Sequence, residues 1–254
     1  MISRFVRITI ASFLIGMAPC SSVFAFSAEE ILFEGRLEAE RVERFILNNP
    51  TFATLSISSH GGEELAALRL AEHILENRAD VVVNETCMSA CALYVLPAAN
   101  TVHLSEDSLV AVHPGIVSSW NVLETQFHPD RLDSAFRENS RSILAFYDRV
   151  GVNPRIFADA ISAHAIWCLS VYPAQTGLWA RLRGRIGFWV PTREYWGQIG
   201  VEMPENYHGS VDEIMQIANL RSIPTSQFSY RGTFPQSASA YSLSQMVECP
   251  PDEY

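Results

Sequence analysis

The sequence predicts an α/β fold built from repeated right-handed βαβ units. Three observations predict it. Strand-like and helix-like segments alternate from residue 31 to residue 113. One of the strand-like segments, ADVVVNE, is a continuous apolar run of the kind that suits a parallel sheet covered on both faces. The chain is also long enough to bury the core of one α/β domain without further staples.

ILFEGRL reads as a short first strand, and LEAERVERFILNN as an amphipathic helix. TFATLSIS alternates β-branched and apolar residues, so it reads as a strand ending at Ser59-His60-Gly61-Gly62. Leu65, Leu68, Ala71, Ile74 and Leu75 recur at helical spacing and predict a helix from Glu63 to about Asn77. The strand ADVVVNE follows, then the segment of Cys87 and Cys91, with a helix through about Leu96. TVHLSE and SLVAVHP read as two more short strands. Connections between consecutive parallel strands are right-handed, hence the repeated βαβ reading.

HPDRLDSAFRENSRSILAFYDRVG predicts one long helix, and NPRIFADAISAHA a second, opened by Asn153 and Pro154. Residues 170–190 break the pattern with Pro173, Gly177, Gly184 and Gly187. PTREYWGQIGV reads as a helix leading into a terminal strand. Beyond Met203 the chain turns Ser/Pro-rich, apart from a short helix at Val211–Leu220. The organisation is therefore a leader at 1–25, an α/β domain at 26–203 and a partly irregular extension at 204–254. No internal repeat is visible.

The leader reading rests on Arg4 and Arg7 as a positive start, an apolar run from Ile8 to Met17, and Val23-Phe24-Ala25 as a small-residue cleavage site. The run is too short for a spanning helix. An uncleaved anchor and lipidation at Cys20 are the alternatives, the latter disfavoured by Pro19. Export places the mature chain in an oxidising compartment with no integral membrane span after processing. All 18 basic residues are arginines, and the formal net charge is -10. Nucleic-acid binding needs a basic footprint that this chain lacks.

Four cysteines follow the leader: Cys87, Cys91, Cys168 and Cys249. An even count in an exported protein suggests two disulfides, with three connectivities open. Cys87 with Cys91 closes a short loop within permitted Cα reach; Cys168 with Cys249 then ties the tail to the body. Zinc is the rival reading, but Cys-x3-Cys has no nearby Cys/His pair at ligand spacing. No metal and no cofactor are expected.

The chemistry concentrates in ETCMSACALYVLPAA, residues 85–99, with SSHGG before it and VAVHPG after it. Ser89 stands at a break between strand and helix, where unpaired backbone N–H groups and the positive helix end favour a developing anion. A serine nucleophile also needs a base, and His113 ends a strand in position to serve. Gly61 and Gly62 let the backbone turn an N–H toward a substrate, and Ala90 supplies the N–H after the serine. The plainer readings stay open: Ser89 as a small helix-starting residue, His113 as a core histidine, the glycines as a tight turn. His60, beside the double glycine, is a second histidine candidate. Cys87 or Cys91 as a thiol nucleophile is a third possibility.

The order SxxGG, helix, apolar strand, xxSAC opening a helix, then VHP on a strand resembles the Clp protease proteolytic subunit and its crotonase-type relatives. More closely, it resembles exported bacterial members whose nucleophile segment reads C-x-S-A-C. The resemblance covers about residues 30–201 and implies a spiral of βαβ units. It implies Ser89 as nucleophile, His113 as general base, and Gly61, Gly62 and Ala90 as the oxyanion hole. His60 stands where the family usually carries proline. The family's third member is an acid after the long helix; Asp159 is the best acid there, although the alignment falls nearer Ala163 or His164. Asp159 reads equally well as a solvated helix position.

The resemblance thus implies an exported, periplasmic serine hydrolase, a peptidase acting on peptide or protein, or a non-catalytic relative that binds or assembles through the same cleft. A serine–lysine site is excluded within a sequence that has no lysine. Coenzyme A chemistry is not expected of an exported chain. The family's oligomers use the long helix after the histidine, so Leu132, Phe136, Ile143, Phe146 and Tyr147 face either a second copy or the core. Trp167, Trp179, Trp189 and Trp196 bracket Arg181, Arg183 and Arg185 as a lid, a membrane-surface contact or a surface excursion anchored by buried indoles.

Overall fold

The computed structural model describes residues 30–126, 129–163, 166–184, 187–207, 210–223, 228–231 and 247–248. The leader and Cys249 lie outside the described residues. The protein is α/β, with a parallel sheet assembled from βαβ units. Its strands are β1 (Glu30–Glu34), β2 (Thr54–Ser59), β3 (Asp80–Met88), β4 (Val102–Leu104) and β5 (Leu109–Ala111), in the order β1-β2-β3-β4 with β5 also on β3. Helices α1 (Ala39–Asn48) and α2 (Glu64–Asn77) make the first two crossovers.

β3 serves two neighbours in succession. Residues 81–83 pair with β4, and residues 86–88 pair with β5. Between these stretches the register against β2 slips, from Ile57 opposite Val83 to Ser59 opposite Cys87. A slip of this kind bends a strand and re-aims its end. The first half of β3 is covered on one face only: Val81 and Val83 are buried while Val82 and Asn84 are half-buried. Asn84 instead joins Ser56 and Ser105 in a polar ladder. Coverage on both faces comes only at the strand's end, just before Ser89.

That end is covered by the C-terminal part of the chain. Helix α8 (Val211–Leu220) brings Ile214 and Ile217 against Met88, Leu109, Ala111 and Val190 as a second hydrophobic cluster. The short helix expected at these residues thus packs on the end of β3 and on β5. Arg221, just past it, pairs with Glu85 at 3.1 Å and donates to the Asp107 carbonyl.

After β3 a π-helical turn (Cys91–Val95) runs into α3 (Leu96–Ala98). The long helix expected over residues 128–151 forms over a shorter span, and a helix that the sequence did not suggest precedes it. α4 (Ile116–Gln126) follows Gly115, and α5 (Ser134–Val150) starts after Asp133, whose carboxylate accepts from the Ala135 and Phe136 N–H groups. Pro114-Gly115 and two serines hide α4 in the sequence, and tertiary burial overrides their weak propensity. Val117, Ser118 and Trp120 are buried, and Ser118 Oγ donates to the Phe157 carbonyl at 2.7 Å. Leu132 and, on α5, Phe136, Ile143, Phe146 and Tyr147 are each at most 1 % exposed. These five face the chain's own core, so they are not the free apolar face that an oligomer contact would need.

α6 (Ile156–Ala163) precedes an antiparallel pair, β6 (Ile166–Pro173) and β7 (Leu178–Gly184), so the broken region is a hairpin. β8 (Phe188–Pro191) then returns to the main sheet: Val112 and Trp189 exchange two backbone hydrogen bonds of 2.8 Å. Trp189 and Trp196 are fully buried, the latter donating to the Tyr207 hydroxyl. α7 (Arg193–Ile199) leads to buried Val201 and Met203 without the terminal strand expected there. β9 (Phe228–Arg231) runs parallel beside β8, and β10 (Val247–Glu248) parallel beside Cys168–Leu169 of β6. Among the described residues, no helix is long and apolar enough to cross a membrane.

Candidate active site

Ser89 occupies a turn between β3 and the π-helical segment with φ 57°, while Ala90 after it is already helical at φ -58°. A non-glycine residue in the left-handed region carries strain of order 1–3 kcal/mol and persists only where its surroundings hold it. Three restraints hold it here. The Ser89 N–H donates to the Ala111 carbonyl at 2.8 Å, extending the β3–β5 ladder. Its carbonyl accepts from Leu93 at 3.0 Å. Cys87 and Cys91, with Cα atoms 5.1 Å apart, are joined by a disulfide that brackets the turn. That bond consumes both thiols, which removes the thiol-nucleophile and zinc readings for this pair.

His113 follows the Val112–Trp189 bridge and aims its ring at Ser89. Its Nε2 lies 2.6 Å from Ser89 Oγ, and its Nδ1 lies 2.8 Å from the Pro114 carbonyl oxygen. A carbonyl only accepts, so Nδ1 carries a hydrogen, and in the neutral imidazole Nε2 accepts the hydrogen bond of the Ser89 hydroxyl. The Phe188 ring stands edge-on to the imidazole with centroids 5.7 Å apart. The β5–β8 bridge thus positions both the histidine and the ring that covers it.

The two glycines divide their work. Gly61 (φ 88°) packs against the serine turn so closely that a Cβ there would lie 2.6 Å from Ser89 Cβ and 2.7 Å from the Met88 carbonyl oxygen. Its N–H donates to Ser59 Oγ at 3.1 Å, so it is turned inward and not toward a substrate. Gly62 (φ 155°) lies against Leu37, where a Cβ would meet the Leu37 carbonyl oxygen at 2.4 Å. Gly62 and Ala90 line a cavity of about 190 Å3 together with Ser89, His113, Glu64 and Gly115. Of the three residues expected at the oxyanion hole, Gly62 and Ala90 line this cavity and Gly61 does not. Arg36 and His60 also line this cavity, and His60 makes no contact with Ser89 comparable to that of His113.

Asp159 is not brought to His113. Its Oδ2 accepts from Arg155 Nε at 2.8 Å and from the Tyr195 hydroxyl at 2.7 Å, inside the α6–α7 packing. The hydrogen bond to Asp159 holds the Arg155 guanidinium above its ordinary value, while burial, then the same carboxylate, keeps the Tyr195 phenol protonated as a donor. The residue is buried and ion-paired, neither a histidine orienter nor a solvated helix position. Asp159→Ala should therefore lower the thermal unfolding midpoint, costing about 1–3 kcal/mol for the polar groups left without an acceptor. It should leave the reactivity of Ser89 at 25 °C unchanged. Calorimetry alongside a serine-directed probe checks both halves.

Arg36, Glu64, Leu93 and Gly115 line the cavity without having been anticipated from the sequence, and Glu64 is the one with polar contacts to both turns. Glu64 opens α2 and looks like an ordinary acidic first-turn residue. In the fold its Oε1 accepts from the Ile116 N–H at 2.7 Å and its Oε2 from the Tyr94 hydroxyl. Burial raises its carboxyl above the ordinary value, against two hydrogen bonds that favour the ionised form. Nothing local announces a partner 52 residues away. The Cys168 with Cys249 pairing falls on a residue outside those described; what the fold does show is the backbone of Val247 aligned with that of Cys168.

No protein-family model matches this chain, and a search of curated proteins returns no match.

Proposed function

We propose that this chain is an exported serine hydrolase, a peptidase of the Clp-protease/crotonase type, with Ser89 as nucleophile and His113 as general base. The observation that carries the proposal is the 2.6 Å contact between Ser89 Oγ and His113 Nε2 on a turn strained at φ 57°. Strained backbone at a strand-to-helix turn is how nucleophilic serines are presented in unrelated hydrolases.

In the reaction, Ser89 Oγ attacks the scissile carbonyl carbon as its proton passes to His113 Nε2. The carbonyl oxygen becomes an oxyanion held by the Gly62 and Ala90 N–H groups, with the charge end of the π-helical turn behind it. The C–N bond then breaks as the His113 imidazolium returns the proton to the leaving amine. Water, deprotonated by the same nitrogen, attacks the acyl carbon, and the C–Oγ bond breaks as the imidazolium returns that proton to Ser89 Oγ. The Pro114 carbonyl fixes the tautomer throughout. The leader reading makes the compartment periplasmic, and the family resemblance makes a peptide or protein the substrate.

A fluorophosphonate probe tests the reading directly. Ser89 Oγ would form a bond to phosphorus while fluoride leaves and His113 takes the hydroxyl proton. Wild type is expected to label at Ser89, and Ser89→Ala to lose all label. Absence of label on correctly folded wild type would favour the second reading, a non-catalytic relative that binds through the same cleft. One observation favours that reading: Asp159, the acid expected to orient the histidine, is engaged by Arg155 and Tyr195 instead.

A further inference from the structure

The geometry points to Glu64 as the positioning residue that fixes the Ser89 turn and the His113 turn relative to each other. The inference rests on the serine–histidine reading of the site, and three contacts carry it. Toward the base, Glu64 Oε1 accepts from the Ile116 N–H at 2.7 Å, at the head of α4 and three residues past His113. Toward the nucleophile, Oε2 accepts from the hydroxyl of fully buried Tyr94, inside the π-helical turn that Ser89 opens. A Cβ on Gly115 would fall 2.6 and 2.8 Å from the two carboxylate oxygens, so the turn leaves space for the carboxylate only because residue 115 has no side chain. The π-helical turn is tied from the other side by the Tyr147 hydroxyl, which donates to the Leu93 carbonyl at 2.6 Å.

The arrangement is a clamp. Glu64 lies two positions past Gly62, so one side chain joins the oxyanion strand end, the nucleophile turn and the base turn. A carboxylate at the start of a helix is also favoured by the helix dipole, which helps keep it seated at Ile116. Misplacing reacting groups by about 1 Å costs on the order of 100-fold in rate, whereas loss of stability alone would not change the rate of folded molecules. Glutamine at this position can keep both contacts, Oε1 accepting from Ile116 and Nε2 donating to the Tyr94 oxygen.

The test measures fluorophosphonate inactivation of the full chain at saturation, separating the maximal rate from probe affinity, with amide hydrogen exchange on the same samples. Glu64→Ala is expected to lower the maximal rate by about 10- to 100-fold with affinity little changed. Glu64→Gln should restore most of it. Gly115→Ala, which pushes the carboxylate away without altering it, should reproduce the alanine defect. Exchange should rise together at Ile116 and at residues 90–93 in Glu64→Ala and Gly115→Ala, and stay low in Glu64→Gln. A Glu64→Ala rate equal to wild type, a glutamine variant as slow as alanine, or exchange raised evenly along the chain would overturn the inference. If wild type fails to label, the hydrolase reading falls while the exchange pattern alone decides whether Glu64 couples the two turns.

Discussion

Replacing His113 by alanine is expected to slow phosphonylation of Ser89 by about 100- to 10,000-fold, the range a positioned general base contributes. The argument is geometric. Nε2 stands 2.6 Å from Oγ, and its accepting tautomer is set by the Nδ1 contact with the Pro114 carbonyl. A serine hydroxyl without a base is a weak nucleophile at neutral pH. The fold should tolerate the change, since His113 lies half-buried beyond the end of β5 and the Val112–Trp189 backbone pair holds the strand without the side chain. Second-order labelling rates with circular dichroism on the same samples check both parts. A His113→Ala variant labelling as fast as wild type would remove the histidine from the mechanism.

Gly61→Ala should be nearly as damaging, although Gly61 touches no substrate. Its φ of 88° puts an alanine in the left-handed region, at about 1–2 kcal/mol. The added Cβ would also lie 2.6 Å from Ser89 Cβ, 2.7 Å from the Met88 carbonyl oxygen and 3.0 Å from the Ala90 nitrogen. The last two are backbone atoms of a turn held by the sheet and the disulfide, and they cannot rotate aside. The turn must shift, carrying Ser89 Oγ and the Ala90 N–H with it. Labelling is expected to fall by about 100-fold or more, with a lower unfolding midpoint. Gly151→Ala is the matched control: its φ is 70°, but nothing lies within 4 Å of the added carbon. It should lose some stability and keep the labelling rate.

What the sequence by itself determined is the local part of this protein. Apolar runs and apolar residues at strand or helical spacing placed β1 to β5 and α1, α2 and α8, because such patterns are properties of short windows. Ser89 between cysteines four apart was legible as a bracketed strand-to-helix turn for the same reason. Ser89 and His113 were legible as a pair only through their order along a βαβ chain; their contact, across 24 residues, depends on β5 pairing with the far half of β3.

Tertiary structure alone decided the rest. α4 forms between a Pro-Gly pair and poor helix formers because its buried face packs on α5 and α6. The apolar face of α5 turned inward, which periodicity cannot distinguish from an oligomer face. Asp159 went to Arg155 and Tyr195, and Glu64 took the place at the site that its position in the sequence did not suggest. A buried carboxylate is fixed by whichever donors surround it, and which donors surround it is set by how the elements pack.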